Sequence, residues 1–191
     1  MPQKQPKIIW ILNVSPDSFS DGRMYTRDQL DERITTLIAD GADIIDVGAE
    51  STAPGSSPIS ASEELARLED FFSLAQKYLS DVEFSIDTKK AIVAQRAIQA
   101  GVSIINDVSW GRSDSWMYTL VARHPKIRYV LMYCKNASWH ADLQQTNTDV
   151  LHELYRFFDE QIPVCYQSGM TQDQMIIDPG MWAFISSDPK D

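Results

Sequence analysis

Short apolar runs alternate with longer amphipathic stretches along the whole chain. The first run, IIWIL at residues 8–12, stops abruptly at Asn13. A turn-rich segment with Pro16, Asp17, Ser18, Ser20, Asp21 and Gly22 follows. This reads as a buried strand feeding a loop, with a carboxamide at the junction. The same junction recurs down the chain, each time with a polar residue at the strand tip. Strands are predicted at 7–14, 42–47, 83–86, 102–105, 127–132 and 174–177. Helices are predicted at 27–40, 62–79, 89–100, within 113–123, and at 148–167. Leu30, Ile34, Leu37 and Ile38 in the first helix, and Leu65, Leu68, Phe72 and Ala75 in the second, repeat at helical spacing. Gly41 and Gly101 close the first and third helices, and Ser60-x-x-Glu63 has the spacing of a capping box.

Strand–helix units in a row imply a parallel sheet. Runs such as IIWIL and DIID are nearly all apolar, as expected where both faces of a strand are covered. The alternation fits an open doubly wound sheet and a (β/α)8 barrel alike. A barrel usually takes about 250 residues, so a chain of 191 with six strands tilts the pattern, taken alone, slightly towards the open sheet.

A single domain of this length can bury roughly 70% of its unfolded surface. Acidic residues number 27 and basic ones 17, a net charge of −10. That balance argues against nucleic acid or an anionic membrane as the main partner, although one site can still be locally positive. Cys134 and Cys165 lie far apart, without metal-type spacing, and read as buried free thiols in a reducing cytoplasm. The start, MPQKQPK, has no apolar core and is not expected to be a signal peptide. No run approaches the ~20 apolar residues of a membrane span. His124, His140 and His152 have no spacing that suggests zinc or a triad.

Five strand-tip motifs occur in order: NVSPDSFSDG (13–22), DVGAESTAPG (46–55), SIDTKKA (85–91), IINDVS (104–109) and IIDPG (176–180). Together they resemble the dihydropteroate synthase family, the pterin-binding barrel enzymes of folate synthesis, over residues 8–180. The first motif is the most specific, and it fits the pterin-dependent methyltransferases, which share a similar barrel, poorly. The resemblance implies a TIM-barrel type α/β fold with its site at the C-terminal rim. It also implies a reaction: the amine of p-aminobenzoate displaces pyrophosphate from (7,8-dihydropterin-6-yl)methyl diphosphate. Mg2+ and fixed cations are expected to stabilise so charged a leaving group.

By the same resemblance Asn13 is the metal-associated residue. A neutral carboxamide oxygen suits Mg2+, which keeps several waters and takes few protein ligands. Asp87, Asn106 and Asp178 hold the pterin, whose amino and ring N–H donors suit carboxylate and carboxamide acceptors. Met132 lines the pterin pocket and Thr52 contacts the diphosphate. Asp17, Asp87 and Asp178 are the expected catalytic carboxylates, with Asp17, Ser18 and Phe19 in a loop that closes over the site. Local structure offers alternatives: Asn13 as a turn residue, Asp87 as the N-cap of the third helix, Asp178 as the start of a turn at Pro179. Asp46, inside a buried run, reads as structural. Lys89 and Lys90 read as solvated, although cations at a helix N-terminus oppose its dipole. Trp110 and Trp182 are expected to pack in the core or rim.

The chain departs from the family pattern in four places. Ala53 stands where the family has arginine, and alanine supplies neither its charge nor its fork of donors. Tyr133-Cys134 follows Met132 in place of His-Met, and Met181-Trp182-Ala183-Phe184-Ile185 follows DPG in place of Gly-Phe-Gly-Lys. The last two strand–helix units, with a lysine, an arginine and a histidine, are absent. Six parallel strands would leave two open edges with exposed apolar surface. The expectation is then a fragment of a longer enzyme, a chain completed by another chain such as a homodimer partner, or a flattened sheet. A pterin-binding homologue with impaired catalysis is the alternative to the active transferase.

Overall fold

The computed structural model describes residues 5–15, 25–50, 57–134 and 149–180. Six strands form one sheet: β1 (Ile9–Asn13), β2 (Ile44–Gly48), β3 (Glu83–Asp87), β4 (Ile104–Asp107), β5 (Arg128–Met132) and β6 (Met175–Asp178). Between them run α1 (Arg27–Ala39), α2 (Ala61–Ala75), α3 (Ala91–Gln99), α4 (Met117–Ala122) and α5 (Val150–Gln167). Every pairing is parallel, and each strand lies beside the next one in sequence. A doubly wound sheet reverses its strand order at a switch point. Strictly sequential order is instead the arc of a (β/α)8 barrel, here with six units and with β1 and β6 as unpaired edges among the described residues. Strand pattern alone leaned the other way because it carries no information on order.

The core lies between the sheet and the helices. Ile45, Val47, Phe84, Ile86, Ile105 and Leu131 pack from the sheet against Leu30, Ile34, Leu68, Val93 and Met117 of the helices. Alternation then sends Ile44, Asp46 and Gly48, and likewise Ser85 and Asp87, to the other face. The expectation of strands covered on both faces fails for β1. Leu12 is buried, but Ile9 and Ile11 are 57% and 66% exposed. They sit on the face away from the helices, which a closed barrel fills with side chains. Among the described residues no helix is long and apolar enough to cross a membrane.

The helix starts explain themselves locally. Thr26 and Gln29 form a reciprocal capping box on α1, with Gln29 N–H donating to Thr26 Oγ1 at 3.3 Å and Thr26 N–H to Gln29 Oε1 at 2.9 Å. Only half of the predicted Ser60 box forms. Glu63 N–H donates to Ser60 Oγ at 3.2 Å, but the Glu63 carboxylate turns to Arg67, 2.6 Å away. α2 stops at Ala75 and α3 starts at Ala91, both inside the predicted ranges.

Candidate functional site

Parallel register places Asn13, Gly48, Asp87 and Asn106 side by side at the C-terminal ends of β1 to β4. In-register neighbours share a face, so three polar side chains form one row on the face away from the helices. Gly48 is the gap in that row. A Cβ there would sit 3.4 Å from Asn13 Oδ1 and 3.5 Å from Asp87 Oδ2. Glycine therefore keeps an open space into which two oxygens point.

Asp46 lies two residues earlier on β2 and belongs to the same face. Asn106 Nδ2 donates to Asp46 Oδ2 at 2.8 Å. The remaining oxygens, Asp46 Oδ1 and Asn106 Oδ1, are buried and accept no hydrogen bond. Buried polar atoms are paired in the great majority of cases. Two adjacent orphan acceptors mark a place suited to a ligand that brings N–H donors.

The electrostatics agree. Burial, then the charges of Asp46 and Glu64, push the Asp87 carboxyl well above the usual carboxylate range, with Asp107 adding to the shift and Lys89 opposing it. Burial likewise raises the Asp46 carboxyl against the pull of its hydrogen bonds with Ser85 and Asn106. Carboxyls held high in this way are common at functional sites.

Met132 and Asp178 face each other across β5 and β6. Asp178 also serves the local turn, because Gly180 N–H donates to its Oδ1 at 2.8 Å. Asp17, Ser18, Phe19, Thr52, Ala53 and Trp182 lie outside the described residues. The N-cap alternative for Asp87 does not hold. Lys90 occupies the N-cap of α3 without a side-chain cap bond, and Asp114 Oδ2 accepts from Ala91 N–H at 2.9 Å instead. Trp110 packs edge-on to Phe157 at 5.3 Å, as expected of a core aromatic. Its φ of 45° is unusual, and the turn is held by Asp107, which accepts from Gly111 N–H at 2.9 Å and from Ser109 N–H at 2.8 Å. Cys134 and Cys165 are both buried and form no disulfide.

One sequence expectation is overturned. Lys89 and Lys90 are not solvated: their side chains are 11% and 22% exposed and bind Glu50 and Glu64. Asp46, read as structural, accepts from Asn106 Nδ2 of the row itself. No local signal could have found either, since the partners lie 26 to 60 residues apart in sequence. Among the described residues no group of three or more His, Cys, Asp or Glu side chains could hold a metal ion.

The family model described as "Pterin binding enzyme" matches residues 9–191. The chain belongs to the pterin-binding enzyme family. Dihydropteroate synthase of Bacillus subtilis is 37% identical over 177 residues, covering 91% of this chain and 58% of that protein. A solved dihydropteroate synthase from Clostridium difficile, obtained in the presence of pteroic acid, superposes with a TM-score of 0.82 at 33% identity. It covers 94% of this chain and 65% of its own. The Xanthomonas albilineans enzyme with 4-aminobenzoic acid gives 0.81 at 32% identity, covering 96% and 64%. This pterin-binding enzyme chain thus spans less than two thirds of the length of these relatives. The likeness agrees with the sequential strand order and extends over the whole row of strand tips.

Proposed function

We propose that the chain carries the pterin half of a dihydropteroate synthase-type transferase of folate biosynthesis. One observation carries this reading: the row Asn13, Asp87 and Asn106, backed by Asp46, gathers acceptor oxygens on one face, and two of them, Asp46 Oδ1 and Asn106 Oδ1, are buried without a hydrogen-bond partner. A pterin edge supplies a 2-amino group and a ring N–H on adjacent atoms. Asp87 and Asn106, with Asp178 from β6, would accept them, and a ring lacking those donors would leave the acceptors unpaired. Met132 would lie against the flat ring. In the reaction the p-aminobenzoate nitrogen forms a bond to the methylene carbon of the dihydropterin. The bond from that carbon to the diphosphate oxygen breaks, pyrophosphate leaves with the electron pair, and the amine gives up a proton. Asp17 and Thr52, by resemblance, would contribute water exclusion and diphosphate contact.

The residues present fit Mg2+. Asn13 Oδ1 points into the space over Gly48 that a Cβ would fill, and Asp87 Oδ2 borders the same space. An oxygen-lined gap of this kind suits a hard cation that keeps most of its waters. Bound there, the ion would supply positive charge for the departing diphosphate. Asn13 would hold it, and the carboxylates would hold and orient the pterin. Two buried cysteines outside any disulfide accord with a cytoplasmic location. The bare face of β1 accords with a homodimer partner or further chain beside it.

Calorimetry with (7,8-dihydropterin-6-yl)methyl diphosphate and Mg2+, together with pyrophosphate release on adding p-aminobenzoate, tests the reading. Saturable binding and release are expected. Binding without release would leave a pterin-binding homologue, and absence of binding would remove the reading altogether.

A further inference from the structure

The exit of β2 is gripped by charges from two helices. Arg67 of α2 donates from Nη1 to the carbonyl of Ala49 at 2.9 Å, and its Nη2 lies 2.6 Å from Glu63. The next residue, Glu50, receives two lysines. Lys89 Nζ lies 2.6 Å from Glu50 Oε1, and Lys90 Nζ lies 2.5 Å from Glu50 Oε2 while also binding Glu64 Oε2. Glu50 and Glu64 side chains are 7% and 1% exposed. Two lysines against two glutamates make a neutral, largely buried cluster, shared by the chain just after β2 and β3 and by the first turn of α2.

Local structure gains little from these lysines. They oppose the dipole of α3, and Lys90 gives that helix no side-chain cap. Burying ion pairs is seldom a net source of stability, because desolvation offsets the Coulomb attraction. Their best-attested use is to specify one arrangement over others. What they specify here is the path of the chain directly after Gly48: Glu50 is two residues from the gap beside Asn13 and Asp87, and two residues before Thr52.

We infer that Lys89 and Lys90 are positioning residues, which hold Glu50 through the buried Lys89–Glu50–Lys90–Glu64 cluster and so aim the β2 exit at the phosphate end of a bound pterin diphosphate. This rests on the function proposed above. The cluster's hydrogen bonds go to Glu50 and Glu64 and not to the pterin acceptors of the row, although the charges of Lys89 and Glu64 reach Asp87, so Lys90 is the member whose replacement reads the diphosphate end.

The test compares two probes in the presence of Mg2+: (7,8-dihydropterin-6-yl)methyl diphosphate, and 6-hydroxymethyl-7,8-dihydropterin, which lacks the diphosphate. Lys90→Met should weaken the diphosphate probe roughly tenfold or more, the scale of a lost charge-assisted contact, and leave the other within about twofold. Lys90→Arg, which keeps the charge, should restore the preference. A general structural role would weaken both probes alike. If Lys90→Met alone unfolds, Lys90→Gln, which removes the charge but keeps a hydrogen-bond donor for Glu50 and Glu64, should show the same selective loss. Equal loss of both probes, or no loss, in a folded variant overturns the inference while the functional reading stands. A wild-type chain that binds neither probe overturns both.

Discussion

Gly48→Ala separates the fold from the site. Gly48 lies in a regular strand with no positive φ, and an added Cβ meets its nearest atoms at 3.4 and 3.5 Å, ordinary van der Waals distance. The free protein should therefore accept it. Alanine also narrows the unfolded ensemble, which contributes about 0.4–1 kcal/mol of stability where the backbone is compatible. For a chain of this size that is a rise in Tm of about 1–4 °C. The three nearest atoms, however, are Asn13 Oδ1 and the Cβ and Oδ2 of Asp87, and the two oxygens border the proposed ion. A methyl group between them occupies the ligand's space. Overpacking of that order costs about 1–3 kcal/mol, here charged to the bound state alone, or roughly 5- to 150-fold in affinity. Thermal denaturation would be paired with calorimetric titration of (7,8-dihydropterin-6-yl)methyl diphosphate with and without Mg2+. An unchanged affinity would show that nothing binds over Gly48. A fall in Tm of more than a few degrees would show that the glycine is needed for the fold and not for the gap.

Three further outcomes follow from the same geometry. Asn106→Ala removes the carboxamide that donates to Asp46 Oδ2 and leaves that buried carboxyl with Ser85 as its side-chain partner, so urea denaturation should report a loss of about 1.5–3 kcal/mol, the worth of a hydrogen bond to a charged group. Tyr129→Phe deletes a buried hydroxyl that donates to Asp107 Oδ2 at 2.9 Å, and should cost about 1–2 kcal/mol in the same measurement without touching pterin affinity. Burial pushes the Glu83 carboxyl up, but the Lys7 hydrogen bond and the charges of Arg128 and Lys7 outweigh it and hold it below its ordinary value. A group with a lowered folded-state pKa stabilises above its unfolded pKa and loses that contribution as pH falls through the folded value. Glu83→Gln should therefore flatten the acid side of a stability–pH curve below about pH 4.5, the ordinary glutamate value, with little effect at pH 7.

Periodicity and turn chemistry are local, and they were enough to find the six strands and five α-helices of the described residues to within a few residues. Strand tips are equally local: Asn13, Asp87, Asn106 and Asp178 stand out because each polar residue interrupts an apolar run just before a loop. Their order along the chain, matched to a family, singled them out as candidates, and register sets Asn13, Asp87 and Asn106 in one row. Three things were not written in any local window. Strand order depends on which edges pair, and only the sequential β1-to-β6 pairing distinguishes a barrel arc from a doubly wound sheet. The exposure of Ile9 and Ile11 depends on what stands beside β1, so an all-apolar strand with one bare face looks the same in sequence as a covered one. The charges of Lys89 and Lys90 look like a solvated pair at a helix start until Glu50 and Glu64, distant in sequence, are folded against them. Asp46 likewise becomes part of the site only when register sets it diagonally below Asn106. Short-range sterics and hydrophobic spacing therefore wrote the elements and the strand tips. Long-range pairing of strands and buried charges, which no single segment encodes, decided which of those tips form one acceptor-lined row and what holds its exit in place.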